Sequence, residues 1–274
     1  NDTISPDKGC TMKKRLTIIQ MDVHVNDVEY NYTRVQELLS QSLSENPDII
    51  VLPETWNTGF YPSKELINIA DRNGERTKSL LSTFAKEHNV NIVGGSVAVA
   101  KNDVVFNTSY AYNREGTLVG EYSKMHGFSP AKEDQYFAGG THTTHFELDG
   151  IPCSTVICYD IRFPELVRMA ALPNTELLFV PAQWPTMRLR HWQVLNEVRS
   201  IENQLFVCAV NGCGTVGRVQ STGHSAVYDP WGTNLLEMNT EEGIATVDID
   251  FDVVEDIRNK INIFRDRKPK LYNL

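Results

Sequence analysis

The chain has 274 residues, of which 41% are hydrophobic and 22% are charged, and its formal net charge at pH 7 is −9. This composition is typical of a globular protein and excludes a disordered or fibrous chain. The acidic balance, with no basic stretch, argues against nucleic acid as a partner, because phosphate binding needs clustered positive charge.

Targeting segments and the cysteines limit the cellular compartments and the kinds of site that the chain could have. No apolar run is long enough to span a bilayer, and no charged segment leads into an apolar core as in a secretory signal, so we expect a cytoplasmic protein without a membrane partner. The five cysteines are odd in number and contain no CxxC pair, which disfavours a disulfide framework and a structural zinc site. Reduced thiols and no metal are therefore predicted.

The sequence divides into a short polar segment and one long unit. Residues 1–11 lack hydrophobic periodicity, and the sequence from Met12 resembles a natural start, so we expect residues 1–11 to be a tag remnant or a disordered tail. The rest contains no linker rich in Gly, Ser or Pro and no fixed-period repeat. Residues 12–274 are predicted to form a single domain.

Apolar strands and amphipathic helices alternate along the chain, judged by hydrophobic periods of about 2 and 3.6 residues. In the first half we predict strands over 15–23, 48–54 and 91–100, helices after Asn26 or Asp27 and over 74–89, and a hairpin over 103–123. In the second half we predict strands in 151–158, 176–182, 205–211, 221–228 and 244–249, helices over 164–172, 187–204 and 253–261, and a tail over 269–274. Helix 187–204 is predicted to carry Trp192, Leu195, Val198 and Ile201 on one face. Two successive β–α–β halves predict a sandwich in which two sheets face each other with helices outside.

Three chemically active side chains follow predicted strands. Glu54 ends DIIVLPE, Lys124 follows the second arm of the hairpin, and Cys158 follows STVI. Each has an ordinary alternative, since Glu and Lys are usually solvated and free Cys is often simply buried. Glu133, in the irregular stretch 129–142, is typical of a surface position when taken alone. Cys153 lies inside its strand and is interpreted as a packing residue.

Together these three types of side chain form a complete set for covalent catalysis. A cysteine attacks as a thiolate, a carboxylate in a pocket accepts its proton, and an ammonium group neutralises the oxyanion that develops on a carbonyl. An amide attacked in this way would release an amine or ammonia and leave a thioester, which water hydrolyses. The set predicts a hydrolase, provided that the fold brings the three strand ends together.

The sequence resembles the nitrilase or carbon–nitrogen hydrolase superfamily over nearly all of residues 13–270. The Glu-Lys-Cys triad of that family lies in segments that match here as LPETWNTGFYP, YSKMHGF and CYDIRFPEL. Further agreement comes from PAQWP, HWQVLNEVRSIENQLFV and GHSAVYDPWG. The resemblance implies a four-layer α–β–β–α sandwich, a homodimer, a small-molecule amide substrate and no cofactor.

The resemblance also assigns roles to particular residues. It implies that Glu54 is the general base and acid, that Lys124 stabilises the intermediate, and that Cys158 is the nucleophile. The backbone N–H of Tyr159 would join Lys124 in the oxyanion hole. Many family members carry a second glutamate between the lysine and the cysteine, and Glu133 in PAKEDQYFAGG fits that place.

Substrate preference is less constrained by the sequence. The segment QWPTMRLRHWQ resembles the branch containing ω-amidases that act on α-keto acid amides, and either Arg188 or Arg190 could hold a carboxylate by paired hydrogen bonds. The alternative is that both arginines simply lie in the first turn of a helix and have no role in substrate binding. Phe60 and Trp184 are candidate pocket walls, with core packing as the alternative. Gln183 occupies a position where relatives often carry asparagine, so the detailed substrate preferences of those relatives are not assigned to this chain.

Other activities use the same residues. Nitrilases, ureido-group hydrolases and glutaminase-like amide hydrolases share the triad, so these remain alternatives to an amidase for small linear amides. A catalytically silent binding module would lack a triad member, whereas all three are present. A zinc-dependent hydrolase would be inhibited by chelators.

Overall fold

The computed structural model describes residues 12–172, 174–216 and 219–272. Within these ranges it contains sixteen strands. They are β1 (Lys13–Gln20), β2 (Ile49–Val51), β3 (Asp71–Arg72), β4 (Asn91–Val93), β5 (Val97–Lys101), β6 (Val104–Tyr112), β7 (Leu118–Ser123), β8 (His145–Leu148), β9 (Ile151–Thr155), β10 (Leu177–Ala182), β11 (Phe206–Asn211), β12 (Thr215–Val216), β13 (Val219–Gln220), β14 (Ala226–Tyr228), β15 (Asn234–Glu237) and β16 (Gly243–Asp250). The predicted tail 1–11 lies outside the described residues, and the division into that tail and one domain stays a prediction.

The same ranges contain eight α-helices, joined by short 3₁₀ turns. The helices are α1 (Val28–Ser42), α2 (Leu66–Ile69), α3 (Glu75–His88), α4 (Pro164–Ala171), α5 (Leu189–Asn203), α6 (Asp252–Lys260), α7 (Ile263–Asp266) and α8 (Pro269–Tyr272). The 3₁₀ turns span Leu43–Glu45, Ser129–Ala131, Glu133–Gln135, Cys158–Arg162 and Thr186–Arg188. Among these described helices, none combines the length and apolar character that a bilayer crossing requires.

Two mixed sheets dominate the described chain. The first has eight strands in the order β16-β1-β2-β4-β6-β5-β3, with β7 also paired to β6. Its strands β1, β2 and β4 are parallel, as the helical crossovers predicted. The second has six strands in the order β15-β14-β11-β10-β9-β8, with β9, β10 and β11 parallel. A separate two-stranded ribbon joins β12 and β13.

The two sheets pack face to face and carry helices on their outer faces. Leu16 and Val51 of the first sheet share one apolar core with Phe179 and Val210 of the second. Helices α1 and α3 cover the outer face of the first sheet, and α4 and α5 cover that of the second. The predicted four-layer α–β–β–α sandwich is therefore confirmed.

The apolar run 91–100, predicted as one strand, is divided into β4 and β5 at its glycine pair. Gly95 has a φ of +58°, and a Cβ at that position would collide with the carbonyl oxygen of Pro53. After the break, the Ser96 hydroxyl accepts a hydrogen bond from the backbone N–H of Thr55 at 3.0 Å. The division therefore fixes the loop that carries Glu54.

Helix α5 begins and ends close to its predicted bounds, but only part of its predicted apolar face is buried. Trp192 is 1% exposed, and Leu195 packs against the same apolar cluster. Val198 and Ile201 are 38% and 45% exposed, whereas the buried face is mostly polar. One reason is that Arg199 donates from Nε and from a terminal nitrogen to the carbonyl oxygen of Ile161, at 3.0 and 2.9 Å. Apolar spacing alone could not reveal that this helix supports a turn through polar contacts.

Candidate active site

The three predicted catalytic side chains extend from strands of both sheets. Glu54 lies three residues beyond β2, and Lys124 directly follows β7, both in the first sheet. Cys158 lies three residues beyond β9 in the second sheet. The site is therefore assembled where the ends of the two facing sheets meet.

Lys124 is the centre of a buried ion cluster. Its Nζ donates to Glu54 Oε1 at 2.9 Å and to both carboxylate oxygens of Glu133, at 2.8 and 2.9 Å. The Lys124 side chain is 3% exposed, and both glutamates are fully buried. Lys124 thus contacts both Glu54, a residue of the predicted triad, and Glu133, the predicted second glutamate. The surface character of Glu133 suggested by its local sequence is wrong.

The charges of this cluster are strongly coupled. Burial opposes the positive charge of Lys124, but the carboxylates of Glu54 and Glu133 outweigh it and raise the pKa of the lysine well above its usual value. Burial also raises the pKa of Glu133, and the nearby charge of Glu54 adds to this effect although Lys124 opposes it. Lys124 is therefore a fixed cation that two carboxylates share.

Asn107 is a member of this cluster that the sequence analysis missed. It lies in β6 and is 1% exposed, and its Nδ2 donates to Glu54 Oε1 at 2.8 Å and to Glu133 Oε1 at 3.4 Å. Asparagine is depleted in strands, so an asparagine within an otherwise strand-like segment was the available signal. Its amide nitrogen thus contacts one carboxylate oxygen of each glutamate, and Lys124 Nζ contacts the same two oxygens.

Gln183 ties Glu54 to the second sheet. Its backbone N–H donates to Glu54 Oε2 at 2.7 Å, and its side-chain Nε2 donates to the backbone carbonyl of Glu54 at 2.9 Å. Gln183 directly follows β10. Both oxygens of the Glu54 carboxylate are thus engaged, and its orientation is set by residues from both sheets.

The candidate nucleophile occupies a sharp turn. Cys158 has a φ of +49°, a backbone conformation that non-glycine residues rarely adopt and that is found at functional sites. Burial and the charge of Glu54 raise the pKa of its thiol well above the usual value, although Lys124 opposes this effect. At rest the thiol is therefore protonated, and attack on a substrate needs a base.

A buried aspartate holds this turn against the loop that carries Lys124. Asp160 is fully buried and accepts hydrogen bonds from the backbone N–H of Ile157 at 3.1 Å and from the Tyr122 hydroxyl at 2.7 Å. It also accepts from the backbone N–H of His126, two residues after Lys124, at 3.0 Å. Asp160 thus fixes the Cys158 turn relative to the lysine.

A cavity of about 310 Å³ opens beside these groups; we call it the front cavity. Its lining includes three predicted catalytic or oxyanion residues, Lys124, Cys158 and Tyr159. It also includes all three predicted substrate-binding residues, Phe60, Trp184 and Arg188. Arg190 is exposed and is absent from the lining. Trp184 is 3% exposed, and its indole N–H donates to the carbonyl oxygen of Arg188 at 2.9 Å, so it both packs and supports the arginine.

Arg162 is a second arginine in the front cavity, which the sequence analysis did not select as a binding residue. Its guanidinium lies 4.7 Å from the Trp184 ring centroid, and that of Arg188 lies 5.2 Å from the Phe128 ring centroid. No carboxylate forms a salt bridge with either arginine in the described ranges. Burial lowers the pKa of Arg162, and the charge of Arg188 contributes. The cavity therefore presents two cations without a protein counter-charge.

Comparison with known proteins identifies the family. The model of the family described as "Carbon-nitrogen hydrolase" matches residues 15–259. The chain belongs to the carbon–nitrogen hydrolase family. As a member of it, the chain is a hydrolase of carbon–nitrogen bonds, which confirms the predicted family and class of enzyme.

Individual relatives of this carbon–nitrogen hydrolase cover nearly its whole length. A 2-oxoglutaramate amidase of Bacillus subtilis is 40% identical over 95% of this chain and 100% of its own. The ω-amidase NIT2 of Danio rerio is 30% identical over 96% of this chain and 97% of its own. A solved carbon–nitrogen hydrolase superfamily protein of Xanthomonas campestris, with an arsenic adduct in its active site, superposes with a TM-score of 0.86 at 29% identity, over 93% of this chain and 97% of its own.

Proposed function

We propose that the chain is an ω-amidase that hydrolyses the terminal amide of an α-keto acid such as 2-oxoglutaramate, releasing the dicarboxylate and ammonia. The observation that carries this proposal is the pair of unneutralised guanidinium groups, Arg162 and Arg188, in the cavity that Cys158 and Lys124 also line. A substrate with a carboxylate at one end and an amide at the other matches that arrangement. The names of the Bacillus subtilis and Danio rerio relatives support it.

In the first half of the proposed reaction, the enzyme becomes acylated. Glu54 takes the proton of the Cys158 thiol as the sulfur attacks the amide carbon. Lys124 and the backbone N–H of Tyr159 stabilise the resulting oxyanion. When the tetrahedral intermediate collapses, the carbon–nitrogen bond breaks and Glu54 gives its proton to the leaving nitrogen, so that ammonia and a thioester form.

In the second half, water hydrolyses the thioester. Glu54 takes a proton from the water as its oxygen attacks the acyl carbon, and the carbon–sulfur bond then breaks. The sulfur recovers a proton from Glu54, and the carboxylate product leaves. Glu133 keeps Lys124 charged and in position throughout, a role that its two hydrogen bonds to Nζ support.

The substrate proposal predicts a selective effect of Arg188. We expect Arg188→Ala to lower kcat/KM for 2-oxoglutaramate by about 10- to 100-fold, the value of one lost charge-assisted hydrogen-bonding partner. Neutral amides of similar length should lose little. Ammonia release would be measured for 2-oxoglutaramate, neutral amides, nitriles and carbamoyl compounds with both proteins.

Arg190→Ala is the matched control, because this neighbouring arginine is exposed and absent from the cavity lining. Its activity should stay within about twofold of the unmodified enzyme. An equal loss on charged and neutral amides in Arg188→Ala would contradict carboxylate recognition. Preferred turnover of a nitrile or a carbamoyl compound by the unmodified enzyme would contradict the proposed function.

We also propose that the chain acts as a cytoplasmic homodimer. Val198, Ile201 and Trp231 form an exposed apolar patch, with exposed fractions of 38%, 45% and 50%. The turn that contains Trp231 packs against α5, because a Cβ atom at Gly232 would lie 2.6 Å from Cδ1 of Ile201. Exposed apolar patches often mark interfaces. The four described cysteines are free, which fits a reducing compartment.

The dimer proposal predicts that Ile201→Asp shifts the protein toward the monomer, because a charge would have to be desolvated in the interface. Sedimentation velocity would report the change in mass. Val104→Asp is the control and should leave the mass unchanged, because this residue is 41% exposed on β6 of the first sheet, whereas the patch lies on α5, which covers the second sheet. A dimer unaffected by Ile201→Asp would place the interface elsewhere.

A further inference from the structure

A second, smaller cavity adjoins the same catalytic cluster; we call it the rear cavity. Its volume is about 90 Å³, well above the roughly 10–15 Å³ that one water molecule needs. Lys124 lines both cavities. The lining of the rear cavity also includes Asn107, Glu133, Asp134, Ala138 and Gly139.

A buried acceptor in the rear cavity indicates a ligand that donates hydrogen bonds. The Nδ2 of Asn107 is already used by Glu54 and Glu133. Its Oδ1 is buried and has no hydrogen-bond partner in the part of the chain that the structure describes. Because buried polar atoms are almost always paired, a donor is expected at this oxygen.

The charges around the rear cavity favour a cation. Glu54 and Glu133 share the single ammonium group of Lys124, so the buried cluster carries one excess negative charge when both glutamates are ionised. Asp134, next in sequence and exposed, adds a carboxylate to the lining.

We propose that the rear cavity binds the ammonium ion that amide hydrolysis releases. This inference rests on the proposed function, since that reaction supplies ammonia, which takes up a proton in water. An ammonium ion carries the missing positive charge and donates in four directions, whereas water carries no charge and potassium donates no hydrogen bond. Asn107 lines the rear cavity and donates to Glu54, the group that protonates the leaving nitrogen in the proposed reaction.

The test measures binding without substrate, through the thermal unfolding midpoint of the whole protein. Ammonium chloride would be titrated at constant ionic strength against potassium chloride and tetramethylammonium chloride. We expect only ammonium to raise the midpoint, with saturation, because a ligand that binds the folded state stabilises it. A potassium effect equal to that of ammonium, or no ammonium effect, would overturn the proposal.

Variants test the location of the site. Ala138→Leu should fill the rear cavity and raise the ammonium concentration at half-saturation by about tenfold, and Asp134→Asn should raise it in the same direction. Asp103→Asn is the matched control, because this exposed aspartate lines a neighbouring groove with Asp134 but not the rear cavity. Unchanged ammonium binding in Ala138→Leu would overturn the location.

If Ala138→Leu does not fold, the location of the site is tested by comparing ammonium binding to Asp134→Asn with that to Asp103→Asn. Equal ammonium binding by these two variants would overturn the proposal. The readout needs no turnover, so its failure is separate from that of the proposed function. An enzyme that fails to hydrolyse 2-oxoglutaramate but binds ammonium here would contradict only the substrate proposal. An active enzyme with no selective ammonium binding would contradict only the rear-cavity site.

Discussion

Replacing Cys158 by alanine is expected to reduce amide hydrolysis by at least about 10⁴-fold, because loss of the nucleophile leaves only substrate binding and oxyanion stabilisation. The fold should remain intact, since the side chain lost is small and its turn is held by Asp160 through Ile157. Ammonia release would measure activity, and circular dichroism would verify the fold. Undiminished ammonia release from this variant would refute the covalent mechanism.

Cys153→Ala is the control for this prediction. The Cys153 thiol is 1% exposed within β9 and donates to the carbonyl oxygen of Ile151 at 3.3 Å. Burial raises the pKa of this thiol well above its usual value, and no charged catalytic group contacts it. We expect activity to be retained. Peptide mapping after brief treatment with iodoacetamide should locate the label on Cys158, and labelling of Cys153 in preference would reverse the assignment.

Glu54→Gln is expected to lower kcat by about 10²- to 10⁴-fold, the usual contribution of a general acid–base group. The reason is that the resting thiol of Cys158 is protonated, and glutamine cannot accept its proton. Glutamine has nearly the same shape, so substrate binding should change less than kcat. Steady-state kinetics on 2-oxoglutaramate, with kcat and KM determined separately, would measure the effect.

The same substitution should make Cys158 easier to alkylate at neutral pH. The negative charge of Glu54 raises the pKa of the thiol, so its removal lowers that pKa and increases the thiolate fraction. A merely structural role for Glu54 would not give slower hydrolysis together with faster alkylation. Glu133→Gln is the matched control, because Glu133 raises the thiol pKa less. Slower alkylation of Glu54→Gln would contradict this account of the base.

The positions of the three proposed catalytic residues at strand ends could be predicted from the sequence, because the end of a strand is a local feature. Hydrophobic runs placed Glu54 and Cys158 beyond β2 and β9, and the hairpin placed Lys124 beyond β7. The family motifs then indicated that these ends meet. Two facing sheets could be predicted for the same reason, because each β–α–β unit is formed by consecutive residues.

What the sequence did not reveal depends on contacts between distant segments. The family resemblance pointed to Glu133, but the irregular polar stretch around it carried no signal that it would be buried with both carboxylate oxygens accepting from Lys124 Nζ. An asparagine within a strand was the one local signal for Asn107, and Arg162 had none, because the groups that these residues contact belong to other elements. The apolar face of α5 is only partly buried, because the buried side of the helix includes Arg199, which donates to the carbonyl oxygen of Ile161. Side-chain periodicity measures apolar character and cannot anticipate such polar contacts.

The assembly of the site from two sheets means that its geometry is sensitive to substitutions far from it. Glu54 and Lys124 move with the first sheet, whereas Cys158 and Gln183 move with the second, and apolar packing sets the spacing between the sheets. Apolar contacts have no preferred direction, so a changed side-chain volume there can displace one sheet against the other. A substitution in that apolar layer can therefore change the rate of turnover while every proposed catalytic residue stays the same.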